Sequence, residues 1–107
     1  MFLVTKLAKG GDLVSYLDAM KKSKLGEEQA RSIFYQLSRA VKEVHDQGLI
    51  HRDLKHMNVL LSNTSSNPKV KLADFGLSAK LREGRDHTKD GQCVGTACYM
   101  APEVILC

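Results

Sequence analysis

His51-Arg52-Asp53-Leu54-Lys55-His56-Met57-Asn58, running directly into Val59-Leu60-Leu61, is the stretch on which the fold turns. Upstream of it, apolar residues recur at Ala30, Ile33, Phe34, Leu37, Ala40, Val41 and Val44. This i, i+3, i+4, i+7 spacing predicts an amphipathic helix over residues 27–47. Gly26 can cap it, Glu27 and Glu28 suit the positive end of its dipole, and Gly48 suits the residue just past its end. Downstream the period shortens. Val59-Leu60-Leu61 and Val70-Lys71-Leu72 flank Ser62–Pro68, a run rich in Ser and Asn. Such residues favour turns, so the two short runs predict a β-hairpin. The eight residues that open the stretch therefore lie in a loop between a long helix and a hairpin.

Residues 1–5 (MFLVT) are apolar and partly β-branched, and predict a strand. Gly10-Gly11 interrupts the chain. Asp12 then suits the N-cap of a short helix to about Met20, with Leu13, Tyr16, Leu17 and Met20 on one face. From Ser78 to Ala101 no period is sustained, and this part is expected to be loop. A loop that long is normally functional or disordered.

Composition narrows the class. The chain has 107 residues, 43% hydrophobic and 26% charged, with a formal net charge of +4. These proportions fit an ordinary globular chain, and the length fits one small domain. No apolar run approaches the roughly 18 residues of a membrane-spanning helix. MFLVTKLAKGG lacks the basic start and small-residue cleavage site of a secretory signal. Cys93, Cys98 and Cys107 are too few and too clustered for a disulfide framework, and no neighbouring His or Cys pair completes a zinc site. Reduced thiols in an intracellular, cytoplasmic protein are expected. The basic groups Lys21–Lys24 and Lys80–Lys89 have no interleaved aromatic residues, so no nucleic-acid partner is expected.

Chemistry concentrates in three segments: His51–Asn58, Asp74-Phe75-Gly76, and Gly95-Thr96-Ala97-Cys98-Tyr99-Met100-Ala101-Pro102-Glu103. Antiparallel pairing of the hairpin brings Asp74, which ends its second strand, back towards Asn58. Mg²⁺ prefers hard oxygen ligands and takes only one or two from protein when phosphates supply the others. Asn58 and Asp74 offer such oxygens. Lys55 offers positive charge for a phosphoryl group, and Asp53 is left to accept a proton from an incoming hydroxyl. Together they suit phosphoryl transfer, in which positioning and charge neutralisation dominate.

These segments resemble the eukaryotic protein kinase family. HRDLKHMN looks like its catalytic loop, DFG like the start of its activation segment, and YMAPE like that segment's end. One tripeptide alone is a weak signal; all three in order are a strong one. The resemblance implies an α+β, protein-kinase-like fold, of which this chain is a fragment covering the hinge and the first part of the mainly helical C-lobe. Residues 1–11 would be strand and hinge, 12–48 helices, 49–73 catalytic loop and hairpin, and 74–103 activation segment. It implies ATP and Mg²⁺ as cofactors, and Ser/Thr hydroxyls of a protein substrate as acceptors. Asp53 would be the base and Lys55 the γ-phosphate contact, with Thr96 supporting both. Asn58 and Asp74 would hold the metal. Thr5 would be the gatekeeper behind the adenine, and the backbone of Lys6 and Ala8 would bond the adenine edge. Asp12 would lie near the ribose and Leu60 beneath the ring. Arg52 would clamp a phosphorylated activation loop. His51 would be a packed scaffold residue outside the catalytic set.

Departures from the family pattern carry their own expectations. His56-Met57 stands where Pro-Glu is usual, which weakens a preference for arginine-rich substrates. Ala97 stands where Pro is common. Gln92 stands at the usual activation phosphosite, leaving Thr88 as the nearest upstream hydroxyl. Lys55 and Thr96 resemble the serine/threonine rather than the tyrosine class. No Gly-rich phosphate loop and no strand lysine are present, so the isolated 107-residue chain is expected to be inactive and, with apolar surface uncovered, marginally stable. The alternative is a truncated or pseudokinase-like binding module, against which the retained Asp53, Lys55, Asn58 and Asp74 count.

Overall fold

A computed structural model describes residues 1–20, 24–81 and 93–106. The order of elements is helix α1 (Leu13–Asp18), helix α2 (Glu27–Asp46), strand β1 (Leu49–Ile50), a 3₁₀ turn (His56–Asn58), strands β2 (Val59–Leu61), β3 (Val70–Leu72) and β4 (Ala79–Lys80), a second 3₁₀ turn (Ala97–Tyr99) and helix α3 (Pro102–Ile105). The mixture of helices and two small sheets is α+β in class.

Both predicted helices form near their predicted bounds. The Asp12 carboxylate accepts from the Ser15 N–H at 2.8 Å, which satisfies a donor that the first turn of α1 leaves open. At the start of α2 the Gln29 side chain reaches back to the Gly26 N–H. At its far end Gly48 adopts φ +71° and its N–H bonds the His45 carbonyl. Of the predicted apolar face of α2, only Ile33 is fully buried. Phe34 is 71% exposed, and lines a groove of about 860 Å³ with Leu25, Leu37, Leu54 and Tyr99.

The hairpin also forms, β2 against β3, with Val59 opposite Leu72 and Leu61 opposite Val70. The core is Leu13 and Tyr16 of α1, Ile33 of α2, and Val59 and Leu61 of β2. Full burial of such side chains contributes roughly 1.5–3 kcal/mol each. The connecting loop is fastened by polar groups. Tyr16 Oη donates to the Ser65 carbonyl at 2.6 Å. Gln36 donates to the Pro68 carbonyl at 3.1 Å and accepts from the Val70 N–H at 3.0 Å, so one amide of α2 fixes where β3 begins.

Two expectations are corrected. Residues 1–5 form no strand: they are exposed and, among the described residues, have no ladder partner, and a strand exists only through such pairing. The stretch after Ser78 is not wholly loop. β4 pairs antiparallel with β1, Ile50 opposite Ala79, and the Leu81 N–H extends the ladder to the Gly48 carbonyl. Two-residue strands are too short for a period to reveal. This small sheet returns the chain beyond Asp74 to the start of the loop that carries Asp53. Thr88, Gln92, Lys21, Lys22 and Cys107 lie outside the described residues.

Candidate functional site

Each predicted residue is positioned by a short, constrained element. β1 delivers His51, which is only 2% exposed. Its Nδ1 accepts from the Asp53 N–H at 3.2 Å, so its Nε2 carries the proton and donates to the Ala73 carbonyl at 2.8 Å. The ring also meets Phe75 edge-on, centroids 4.8 Å apart. His51 thus ties the loop that holds Asp53 to the segment that holds Asp74, and is a packed residue with both nitrogens used. Replacing it by Gln, which can satisfy one of those partners but not both, is expected to cost about 2 kcal/mol, read as a lowered denaturant midpoint at unchanged slope.

Asp53 is buried, and its carboxylate is the centre of a network. The Thr96 hydroxyl donates to Oδ1 at 2.8 Å. Asn58 Nδ2 donates to Oδ2 at 3.2 Å and to the Asp53 carbonyl at 2.9 Å. Lys55 Nζ lies 3.5 Å from Oδ2 and donates to Thr96 Oγ1 at 3.0 Å. The threonine hydroxyl therefore relays between the ammonium and the carboxylate. The Thr96 bond does most to hold the Asp53 carboxyl below the usual carboxylate range, with the Lys55 charge and the Lys55 and Asn58 bonds adding to it against the opposing effect of burial. A carboxylate has about four lone-pair sites, so room for a further donor remains.

Because the folded value is depressed, the stability contributed by this ionisation is fully present above the ordinary value near 4 and fades as pH falls through the folded value. Thr96→Ala is expected to raise the Asp53 titration towards the ordinary value, with Thr96→Ser restoring it; carboxyl ¹³C shifts followed against pH measure this directly.

Asn58 is buried at the end of the first 3₁₀ turn. Its amide nitrogen is committed to Asp53. Among the described residues no donor is bonded to its Oδ1, and no buried side-chain oxygen lacks a partner, so this oxygen meets solvent. Asp74 follows the hairpin: the Ala73 N–H bonds the Asn58 carbonyl at 2.8 Å, one step beyond the Val59–Leu72 pair. Asp74 takes φ +59°, and its Oδ1 accepts from the Gly76 N–H at 3.2 Å, the local bond that lets Asp tolerate this conformation. Arg52 is also left-handed, at φ +67°, and its Nε donates to the Leu77 carbonyl at 2.5 Å. Strained non-glycine residues of this kind cost of order 1–3 kcal/mol each and persist where surroundings over-determine them.

The structure thus gathers Asp53, Lys55, Thr96 and Asn58 directly, with Asp74 beside them in the chain path. The residues expected around adenine have other neighbours. Thr5 and Lys6 are exposed in the extended N-terminal stretch. The Ala8 carbonyl accepts from the Gly11 N–H at 3.1 Å. Asp12 caps α1, and Leu60, half-buried, bridges to Asp12 across the edge of β2. Three contacts had no signal in the sequence. His56 bonds Tyr99, Cys93 Sγ donates to the Val104 carbonyl, and Gly95 packs on Arg52 so closely that a Cβ would meet the Arg52 carbonyl oxygen at 2.7 Å. Two of them join residues 43 positions apart and the third residues 11 apart, across loop where no periodicity shows pairing.

Comparison with known proteins bears on the family of the chain. A family model described as protein kinase domain matches residues 1–107. The chain is 42% identical over 105 residues to CBL-interacting protein kinase 4 of Oryza sativa subsp. japonica, covering 98% of this chain and 22% of that protein. It is 40% identical over 112 residues to the human serine/threonine-protein kinase ULK1, covering 99% and 10%. It is 39% identical over 106 residues to the ovarian-specific serine/threonine-protein kinase Lok of Drosophila melanogaster, covering 99% and 21%. The chain therefore spans a quarter or less of the length of these curated relatives. With one family model matching its full length, the chain belongs to the protein kinase family.

Proposed function

We propose that this chain carries the catalytic loop and metal-binding residues of an ATP-dependent protein serine/threonine kinase. The observation that carries the proposal is the Asp53–Thr96–Lys55–Asn58 network, in which a buried carboxylate kept ionised retains acceptor capacity beside an ammonium group. Asp53 accepts the proton of a substrate Ser or Thr hydroxyl as that oxygen bonds to the γ-phosphorus and the bridging bond breaks, ADP leaving with the electron pair. Lys55 stands beside it to meet the transferred phosphoryl oxygens, and Thr96 orients both groups.

The donor set fits Mg²⁺. One solvent-facing amide oxygen on Asn58 and the carboxylate of Asp74 are hard ligands, and no cluster of three His, Cys, Asp or Glu side chains competes among the described residues. Asn58 and Asp74 would hold the ion, which would supply neutralisation of phosphate charge. Thr5, Lys6, Ala8, Asp12 and Leu60 are assigned to the nucleotide on the strength of the family likeness, as is a regulatory role for Arg52 and Thr88. Among the described residues no helix is long and apolar enough to cross a membrane.

The test is phosphate transfer from labelled ATP to a mixed protein substrate by the full-length gene product that carries these residues. Label on Ser and Thr, lost on chelation of Mg²⁺, is expected. Label confined to Tyr, or transfer insensitive to chelation, would refute the proposal.

A further inference from the structure

A second bridge joins the two stretches that meet at Asp53. His56 Nδ1 and Tyr99 Oη lie 2.6 Å apart across 43 residues of sequence, and their rings meet edge-on with centroids 5.5 Å apart at 74°. Each residue belongs to a 3₁₀ turn. His56 opens the turn that ends in Asn58, closed by the Asn58 N–H to Lys55 carbonyl bond at 3.0 Å. Tyr99 ends the turn that follows Thr96, closed by the Tyr99 N–H to Thr96 carbonyl bond at 2.9 Å. A turn closed by an i to i+3 bond ties its first residue directly to its last. Fixing His56 to Tyr99 therefore fixes Asn58 relative to Thr96, and these are the two residues bonded to opposite oxygens of Asp53.

Two further side-chain bonds between the stretches share one hydroxyl. Thr96 Oγ1 must serve both Lys55 and Asp53. A hydroxyl is a small and easily rotated hinge. The His56–Tyr99 contact adds a point of attachment separate from that hydroxyl, which helps turn a pivot into a fixed wall on one side of the carboxylate. Both rings are exposed, so the bond is available to be lost without opening the core.

We propose that His56 is a positioning residue for the phosphoryl transfer proposed above: its bond to Tyr99 holds residues 96–100 against the catalytic loop, so that a substrate hydroxyl approaches Asp53 past a surface in fixed register. The inference rests on that reading of the site, but its own signature is separable. Kinetics of the full-length gene product are compared for the unmodified protein, Tyr99→Phe, His56→Phe, the double variant and His56→Gln. Each of the first two variants is expected to lower kcat roughly three- to tenfold with the KM for ATP unchanged, the scale of one lost hydrogen bond. The double variant is expected to be no worse than the poorer single, because one shared bond is lost. His56→Gln, whose amide can still bond the tyrosine hydroxyl, is expected to recover most of the loss. Multiplying losses in the double variant, single variants within about twofold of the unmodified protein, or a KM for ATP that moves with kcat would overturn the role of His56. An unmodified protein without any transfer would instead overturn the phosphotransfer reading, and this inference with it.

Discussion

Asp53→Asn is expected to reduce phosphate transfer by the full-length gene product about 10²- to 10⁴-fold, the range for removal of a general base. The substitution keeps the shape of the side chain, and the Thr96 hydroxyl can still donate to the remaining oxygen. It removes the only function that shape cannot replace, since an amide cannot take a proton from a substrate hydroxyl. It also turns an –NH₂ towards Asn58 Nδ2 or Thr96, and leaves the Lys55 ammonium without its carboxylate. A modest fall in stability should accompany the loss, on the order of 1–2 kcal/mol for one unpaired polar group. The diagnostic result is a collapse of kcat with a KM for ATP that hardly moves, because Asp53 is assigned to the hydroxyl and not to the nucleotide. Retention of more than about a tenth of the activity would remove Asp53 from the role of base. The binding-module alternative gives a different outcome: no transfer before or after substitution, and partner binding that survives it.

How much of this site could be read from the sequence follows from the range of the forces involved. Local features were legible. The α2 periodicity, the Asp12 cap, Gly48 at the helix end and the Ser62–Pro68 turn each depend on residues a few positions apart, and each appears in the structure within a residue or two. The chemical cluster was legible in membership but not in wiring. That Asp53, Lys55, Asn58 and Thr96 belong together came from residue types and from family likeness. That the threonine hydroxyl sits between the ammonium and the carboxylate, or that His51 Nε2 reaches the end of the hairpin at Ala73, depends on contacts 22 to 43 residues apart in sequence. The β1–β4 pair was illegible for a further reason: two residues per strand are held by their flanks, not by any pattern of their own. The exposure of much of the α2 face accords with the expectation of uncovered apolar surface. Periodicity reports which face a helix can bury, whereas burial requires a partner surface, and Phe34 remains 71% exposed.

Gly10→Ala is expected to destabilise the fold far more than Gly11→Ala, although the two glycines are neighbours and look interchangeable in sequence. A Cβ on Gly10 would lie 2.3 Å from the Asn63 carbonyl oxygen and 2.8 Å from that of Leu61. Both obstacles are backbone, and neither can swing aside. The Gly10 N–H bonds the Leu61 carbonyl at 2.9 Å, and the Leu61 N–H bonds the Gly11 carbonyl at 2.8 Å, so the two chains are stitched on both sides of the clash. Leu61 is wholly buried, which anchors β2 from behind. Relief requires the segment to part from β2, giving up these bonds and loosening Leu13 and the cap of α1 that follow. A loss of at least about 3 kcal/mol is expected, at the upper end of overpacking effects. Gly11 is the converse case. Its φ is +68°, and a Cβ there would meet nothing within 4 Å. Only the left-handed backbone opposes a side chain, a cost of roughly 1–2 kcal/mol for Ala and less for Asn, which tolerates that region. Thermal or denaturant unfolding of the two alanine variants and Gly11→Asn is expected to rank them Gly11→Asn, Gly11→Ala, Gly10→Ala in falling stability. If Gly10→Ala unfolded no more readily than Gly11→Ala, the close approach of this segment to β2 would be wrong. The placement of residues 10–12 relative to Leu60, and with it the assignment of Asp12 and Leu60 to one side of a nucleotide site, would then fail together.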